Sequence, residues 1–570
     1  LISVLFSEFQ QFYLLPDKFG NDGTHPRRPI KIQNMQMKSF AYQLFDIYWI
    51  LWQNCKPQGG GILADQMGLD KTMIVYILLT MSAWLKANSD HIEKFPNQHL
   101  PLNQAEPTSA DEPLPKCSSQ RLFPMLCCCV KYEVTACHIK VFSGPFLVLV
   151  PKSLLYSWAC QFAIIIANGK KNILRLSLFL AHGNVMQTSL EHLNHRFIFN
   201  FDSNHGCLDI PGSGTEHHHH QYMVITTPAS YLNHVNRYIR KKPAASTPPL
   251  RRQELVFPAW GVVIRDEFHQ EKNNTESVGL FVKFRERQAD DSSQIWILSG
   301  TLCDHSSEDM KHWMDILYTK QWRQHCGLQN GCSESFDQLV KNVRSLLKTH
   351  STGQKMPLRE QQSLQQLAEK FGDLMKNLMI HQSSEASWFS KPIVRLPLNE
   401  HKDVECYLPE KYLHRIKQLE TDAKKHVEEQ LLDLMLKNPG LALTKEELRE
   451  NVKNATDSWT SSELHRAHMT LRVEERSWSS CAPFLLWCIF LNIDESFDEG
   501  DKAVESSDIL ISTIDLLSTG FTCVRAWYLI LFGPEWLSSQ EEQAITHIQH
   551  IEQKNEWTFT YCLLLCEEFQ

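Results

Sequence analysis

Lys71 and Thr72 close a glycine-bearing stretch, Gly59-Gly-Gly-Ile-Leu-Ala-Asp-Gln-Met-Gly-Leu-Asp-Lys-Thr72, and open onto the apolar run Met73 to Thr80. An apolar run, a turn at Gly68 and then Lys-Thr at a helix start is the layout of a phosphate-binding loop. Its backbone N–H groups would point at phosphates, Lys71 would reach the β/γ-phosphates, and Thr72 would hold Mg²⁺. The nucleotide contacts expected of the loop are Asp65, Gly68, Asp70, Lys71 and Thr72. Asp70 is out of pattern, because glycine suits the position before the lysine. A second chemical pair, Asp266-Glu267, follows the apolar run Gly261 to Ile264 and Arg265. There Asp266 would orient Mg²⁺ through its water shell, and Glu267 would polarise the attacking water. Gln43, upstream of the loop, carries an amide able to donate to and accept from an adenine edge. The plainer reading of Gln43 is one more residue of an amphipathic helix.

These groups need a scaffold, and the chain supplies an alternating one. Aromatic and aliphatic residues at helical spacing from Met35 to Trp52 predict a helix before the loop. Pro145-Phe-Leu-Val-Leu-Val-Pro151 predicts a buried parallel strand, followed by a helix from Ser153 to Ile166. Further strands are expected at Leu174 to Leu180, Tyr222 to Thr227, Gly261 to Ile264 and Gln294 to Leu298. The last leads into Ser299-Gly300-Thr301, small hydroxyl residues suited to sensing a γ-phosphate or touching nucleic acid. Residues 1 to 35 read as an irregular lead-in, and Lys86 to Gly144 as a surface insertion. From Asp304 to about Gly500 the texture is helical and charged, notably Gln361 to Leu378 and Asp403 to Leu436. Phe484 to Leu491 is a buried helix or strand, and strand signals return at Asp508 to Thr513, Trp527 to Phe532 and Trp557 to Leu565.

A chain of 570 residues has room for two or three cores, and 43% hydrophobic with 21% charged residues is ordinary globular composition. A net charge of −8 gives no global attraction to nucleic acid, so binding would need a local basic cleft. No apolar run reaches the roughly 18 residues that cross a bilayer, and no membrane partner is expected. No signal peptide is visible, and a chain that begins with Leu1 reads as a fragment or an incomplete gene product. The 17 cysteines include no Cys-x-x-Cys pair, so a zinc ribbon or finger is not supported. Cys127-Cys128-Cys129 and Cys137 lie in a loop-like segment where metal binding competes with the plainer reading of reduced thiols. His217 to His220 reads as a low-complexity loop.

The ordered motifs resemble the Swi/Snf-type helicase-like ATPases of chromatin remodelling and DNA repair. The matching stretches are Tyr42-Gln43, Gly61 to Thr72, Leu147 to Trp158, Val224 to Leu232, Trp260 to Asn273, Leu298 to Thr301, Ile509 to Thr522 and Pro534 to Gln553. Ser518 to Thr522 with Pro534-Glu535-Trp536 is most similar to the divergent fungal members. The resemblance implies an α/β fold of two RecA-like lobes with parallel sheets. The first lobe, 36–305, would be nearly complete, a helical region would fill 306–500, and a truncated second lobe would occupy 501–570. It further implies ATP and Mg²⁺ as cofactors, double-stranded DNA or chromatin as partner, and a nuclear location. A metabolic P-loop kinase or transporter ATPase does not match this motif order.

The departures strike positions with assigned work. The family pattern has glycine at Asp70, proline at Leu302, paired arginines at His381-Gln382, arginines at His547 and His550, and glycine at Glu552. The resemblance gives His547 and His550 the catalytic task of stabilising the transferring γ-phosphate, a contribution of roughly 10³–10⁵ in rate when arginine supplies it. Histidine is shorter and cannot make the bidentate contact. Each of these changes needs a single C-to-T or G-to-A transition, whereas Gln549, where the family often has histidine, needs a transversion and does not fit. The hypothesis that follows is decay of a duplicated gene by a cytosine-directed process, and transversions as frequent as transitions against an intact sister copy would sink it. The first reading is therefore an ATP-dependent DNA translocase by descent. The alternative is a non-catalytic remnant that does not hydrolyse ATP and retains at most DNA or partner binding.

Overall fold

Short runs of β-branched and aromatic residues, too brief to be helices and apolar on both faces, can only be satisfied inside a sheet covered on both sides. The computed structural model describes residues 2–15, 29–54, 60–99, 117, 119–129, 144–166, 174–181, 198–200, 220–232, 260–268, 294–300, 316–317, 341–342, 358–375, 378–388, 391–406, 421, 425, 428–429, 432, 450, 452–453, 487–491, 509–513, 526–531, 538–550, 553 and 555–565. It divides into two units. The first comprises Leu1–Pro397, Ser518–Thr522 and Gln549–Gln553, and the second Leu398–Leu517, Cys523–Ile548 and Lys554–Gln570.

The first unit runs α1 (Ile2–Phe12), β1 (Ile30–Lys31), β2 (Lys38–Ser39), α2 (Ala41–Gln53), β3 (Gly60–Leu63), α3 (Lys71–Lys94), β4 (Phe146–Leu149) and α4 (Leu155–Ile165). It continues through β5 (Ser177–Leu180), β6 (Ile198–Asn200), β7 (Tyr222–Thr226), β8 (Val262–Asp266), β9 (Gln294–Leu298), α5 (Leu358–Met375), β10 (Met379–Ile380), β11 (Ser387–Trp388) and β12 (Lys391–Pro392). An 8-stranded sheet has the order β10-β3-β9-β8-β4-β7-β5-β6, and every neighbouring pair in it is parallel. The register brings Leu63, Leu298 and Asp266 to one level across β3, β9 and β8. All three strands therefore end together, at the carboxyl edge where open α/β sheets bind ligands.

Helix α3 is buried without a break from Met73 to Leu85, so it is apolar all round in this stretch. Its hydroxyls are satisfied inside the helix, Thr80 Oγ1 donating to the Tyr76 carbonyl and Ser82 Oγ to that of Leu78. It extends past the expected apolar run and stops at Phe95, because Pro96 disfavours helix in the residue before it.

Several boundaries differ from the sequence expectations. The lead-in contains α1, whose Leu5, Phe9 and Phe12 join the main core; the prolines and glycines that follow it hid a one-face pattern. The helix expected from Met35 begins at Ala41, after the short strand β2. The segment 86–144 is not wholly an insertion: its first residues finish α3, and Phe123, Met125 and Leu126 are core. Cys137, His182-Gly183, His269, Thr301, Leu302, Ser518 to Thr522, Pro534 to Trp536 and Glu552 lie outside the described residues.

The second unit holds β13 (Leu398–Cys406), β14 (Trp487–Leu491), β15 (Ile509–Thr513), β16 (Tyr528–Leu531), α6 (Ser538–Ile548) and β17 (Trp557–Leu565). Its 5-stranded sheet has the order β13-β17-β16-β14-β15. β13, β17 and β16 run parallel, and β14 and β15 are added antiparallel. The expected start of this unit near 501 is corrected to 398, since β13 and β14 are strands of its sheet rather than parts of a helical region. The polar run Leu-Asn-Glu-His-Lys-Asp-Val-Glu-Cys resembles a solvated helix, yet β13 pairs along its whole length with β17. Cross-strand pairing overrides that local pattern. The α/β class with parallel sheets is as the sequence indicates. Among the described residues no helix is long and apolar enough to cross a membrane.

Candidate functional site

The loop between β3 and α3 is fixed from three sides. Gly60, at φ +142°, and Gly61 are packed so closely on neighbouring backbone that a Cβ on Gly60 would collide with the Ile295 carbonyl. The strand's hydrogen bonding continues into the loop beside β10. Ala64 N–H donates to Ile380 O at 2.8 Å, Gln66 N–H donates to Gln382 O at 2.9 Å, and His381 Nδ1 lies 2.5 Å from Ala64 O. Ser384 closes this seam by donating both its backbone N–H and its hydroxyl to Gln66 Oε1. From α2, Tyr42 donates its hydroxyl to the Leu69 carbonyl at 3.0 Å. Gly68 turns the chain at φ +84°, and a Cβ there would lie 3.1 Å from the carbonyl oxygen of Gln549.

Lys71 is the first residue of α3 and donates through Nζ to the Asp65 carbonyl at 2.9 Å. Thr72 follows, partly exposed at the same helix end. Asp70 is the N-cap, at φ +56° and ψ +57°, the left-handed region. That conformation explains why glycine suits the position, and aspartate is one of the few other residues that tolerates it. Its Oδ1 accepts from Met73 N–H at 3.2 Å. A carboxylate thus already stands at the helix end, where backbone donors and the helix dipole would otherwise favour phosphate.

β8 delivers Asp266 at its last position and Glu267 immediately beyond, both buried, Glu267 at φ +47°. Trp158 of α4 donates its indole N–H to Asp266 Oδ2 at 3.1 Å, and Glu267 N–H donates to Asp266 Oδ1 at 3.1 Å. Burial and the adjacent Glu267 charge push Asp266 up to about 7, against the opposing pull of Lys71 and the Trp158 hydrogen bond. Ser299 N–H donates to the Leu63 carbonyl, and Gly300 leaves no room for a Cβ against Met67. The Ser-Gly pair therefore seats the phosphate loop.

Lys71, Thr72, Asp65, Gly68, Asp70, Asp266 and Glu267 are thus gathered within the first unit. Gln43 is nearby in sequence, but its Oε1 accepts from Phe40 N–H at 3.0 Å, bracing the start of α2. Its side chain is buried in that local role. His550 belongs to the first unit with Gln549, whereas His547 is buried in α6 of the second. Nothing local in the chain singles out Trp158, which bonds Asp266, or Asp46, which is buried beside Asp65. Spacing offered no signal for either, since both contacts join distant segments.

The donors fit a magnesium nucleotide at Lys71, Thr72 and Asp266, and the carboxylate of Asp70 opposes the phosphate end of it. The sequence profile of the SNF2-related domain matches residues 42–470, and no curated protein sequence matches. A solved structure, the Hef helicase domain of Pyrococcus furiosus, is 11% identical over 75% of this chain and 59% of that one, with a TM-score of 0.27. This chain therefore spans less than two thirds of that structure's length, and at that TM-score the likeness says nothing about the site. The profile covers most of the chain, from the helix before the phosphate loop through the Asp-Glu pair and beyond. The chain belongs to the SNF2-related domain family.

Proposed function

We propose that this chain is a nucleotide-binding, DNA-associated relative of the ATP-dependent translocases in which hydrolysis is strongly impaired. The observation that carries the reading is Asp70, left-handed and capping α3 with its carboxylate on Met73 N–H. In the reading, Lys71 holds the β/γ-phosphates, Thr72 and Asp266 hold Mg²⁺, and Glu267 orients water. The bound Mg²⁺ would neutralise charge developing on the phosphates. Asp70 sets a negative charge against those phosphates and competes for the same helix end. His547 and His550, in place of the family's arginines, leave less positive charge for the γ-phosphate.

Retention of the Lys-Thr and Asp-Glu pairs supports descent from an active translocase on double-stranded DNA or chromatin, with a role in remodelling or repair in the nucleus. The deciding experiment is a DNA-stimulated ATPase assay on the native chain, on Asp70→Gly, and on Asp70→Gly with His547→Arg and His550→Arg. The reading expects turnover to rise by about 10³-fold or more only in the combined variant. Native turnover comparable with that variant would refute impairment. Absence of nucleotide binding in every variant would refute the nucleotide site itself.

A further inference from the structure

We propose that His99, Cys117, Cys127 and Cys129 form a closed, structural zinc site at the far end of α3. Among the described residues these four converge, with all their ligand atoms within 4.8 Å of one another. His99 Nδ1 lies 3.4 Å from Cys117 Sγ and 3.3 Å from Cys127 Sγ. A tetrahedral ion with bonds of about 2.3 Å to sulfur and about 2.0 Å to nitrogen has ligand-to-ligand edges of roughly 3.5–3.8 Å. The four atoms therefore already outline the cage, and small movements would close it. Three thiolates and one imidazole are a set that selects zinc, and four protein ligands leave no open position for catalysis.

The surroundings are those of a supported metal site. His99 Nε2, the nitrogen away from the sulfurs, lies 2.7 Å from His91 Nδ1. An outer partner of this kind fixes the ring and the tautomer of a metal-bound histidine. Ser119 N–H donates to Cys117 Sγ at 3.4 Å, and Asn88 Nδ2 donates to Cys127 Sγ at 3.3 Å. Those donors would spread the negative charge of a tri-thiolate centre. Asn88 Oδ1 in turn accepts from Cys128 N–H at 2.9 Å, which locks the cysteine turn to α3. Cys128 lies between two ligands in sequence but is not one of the four.

The spacing explains why the sequence does not announce the site. Cys127 and Cys129 are two apart rather than three, and His99 and Cys117 come from separate segments. The consequence would be mechanical. The ion ties the turn Pro96–His99 and the 117–129 segment to the helix that begins at Lys71, and Leu126 N–H bonds Phe12 O to include α1. Binding would release the three thiol protons as the thiolates form.

The test is metal analysis of the full chain purified under reducing conditions. The native chain should carry about one zinc per chain. Substituted with cobalt(II), it should give thiolate-to-cobalt charge-transfer absorption with the intense visible bands of a four-coordinate ion. Cys127→Ser and Cys129→Ser should each remove that absorption, while Cys128→Ser keeps it. His91→Ala should weaken zinc binding about 10–100-fold. If the ligand variants do not fold, the cobalt spectrum of the native chain still decides. No charge-transfer absorption in the native chain overturns the proposal, as does equal loss in Cys128→Ser. Zinc without that absorption would be held by histidines such as His217 to His220, and would overturn it as well.

Discussion

Gln382 donates its backbone N–H to Asp65 Oδ1 at 2.8 Å, and its side-chain amide reaches Asp46 Oδ1 at 3.2 Å. Two buried carboxyl groups are therefore served by one neutral residue, through its backbone and its side chain, at a position where the family pattern has arginine. Among the described residues the Oδ2 of each has no hydrogen-bond partner beyond the neighbouring carboxyl group. Burial, then the Asp65 charge, raises Asp46 well above the ordinary aspartate range. Burial also lifts Asp65, to about 6, although Lys71, Asp46, Gln382 and His381 all pull it down.

A raised aspartate pKa means the folded protein holds a proton that the unfolded chain gives up. The stability that depends on that proton is fully present below about 4 and is lost as pH rises through about 6. Gln382→Arg restores a cation between Asp46 and Asp65 and removes the loss. The expected gain over the native chain is negligible near pH 4 and grows to roughly 1–3 kcal/mol by pH 7. Paired thermal melts across that range check it; a gain independent of pH would contradict the account.

Asp70 combines a strained backbone with a helix cap, so its replacements separate the two. Asp70→Gly relieves about 1 kcal/mol of left-handed strain and loses a cap worth about 1 kcal/mol, leaving stability nearly unchanged. Asp70→Ala keeps the strain and loses the cap, and should cost about 1–2 kcal/mol. Both remove the negative charge, but only glycine restores the loop, so ATP affinity should improve at least tenfold more in Asp70→Gly. Denaturant titration and nucleotide-binding isotherms report the two effects separately.

Trp158→Phe keeps a ring against Tyr76, whose ring meets that of Trp158 at 5.5 Å and a 60° tilt, but deletes the indole donor to Asp266. Loss of a hydrogen bond to a buried carboxylate should cost about 1–3 kcal/mol at pH 8 and less at pH 5, where Asp266 is protonated. Melting curves of the native and variant chains at the two pH values measure the difference. A cost equal at both would mean that Trp158 acts by packing alone.

Glycines in two settings should respond oppositely to alanine. Gly60→Ala drives a Cβ into the Ile295 carbonyl at positive φ, and should destabilise by about 3 kcal/mol or more. Gly372→Ala, within α5 with nothing near its Cβ, should stabilise by roughly 0.5–1 kcal/mol. Chemical denaturation of both variants is sufficient.

The sequence by itself determined the buried strands on either side of the phosphate loop's helix and the two chemical pairs. Gly59 to Thr72 and Asp266-Glu267 are local patterns, whose backbone geometry and residue types lie within a few positions of one another. It also determined that Asp70 was out of place, because the need for a left-handed residue before Lys71 is set by the loop itself. What it did not contain was contact between segments far apart in the chain. The Gln382 side-chain contact spans 336 residues and the Trp158–Asp266 bond 108, and no periodicity encodes either. Strand β13 differs from its local pattern for the same reason: its charged sequence suits an exposed helix, and only nine residues of pairing with β17 make it a strand. The four-residue sulfur–imidazole cluster was hidden in scattered positions until the turn after α3 folded back on that helix. Local sterics and hydrogen bonding wrote the loop; long-range packing decided which carboxyls, rings and thiols would face one another without water.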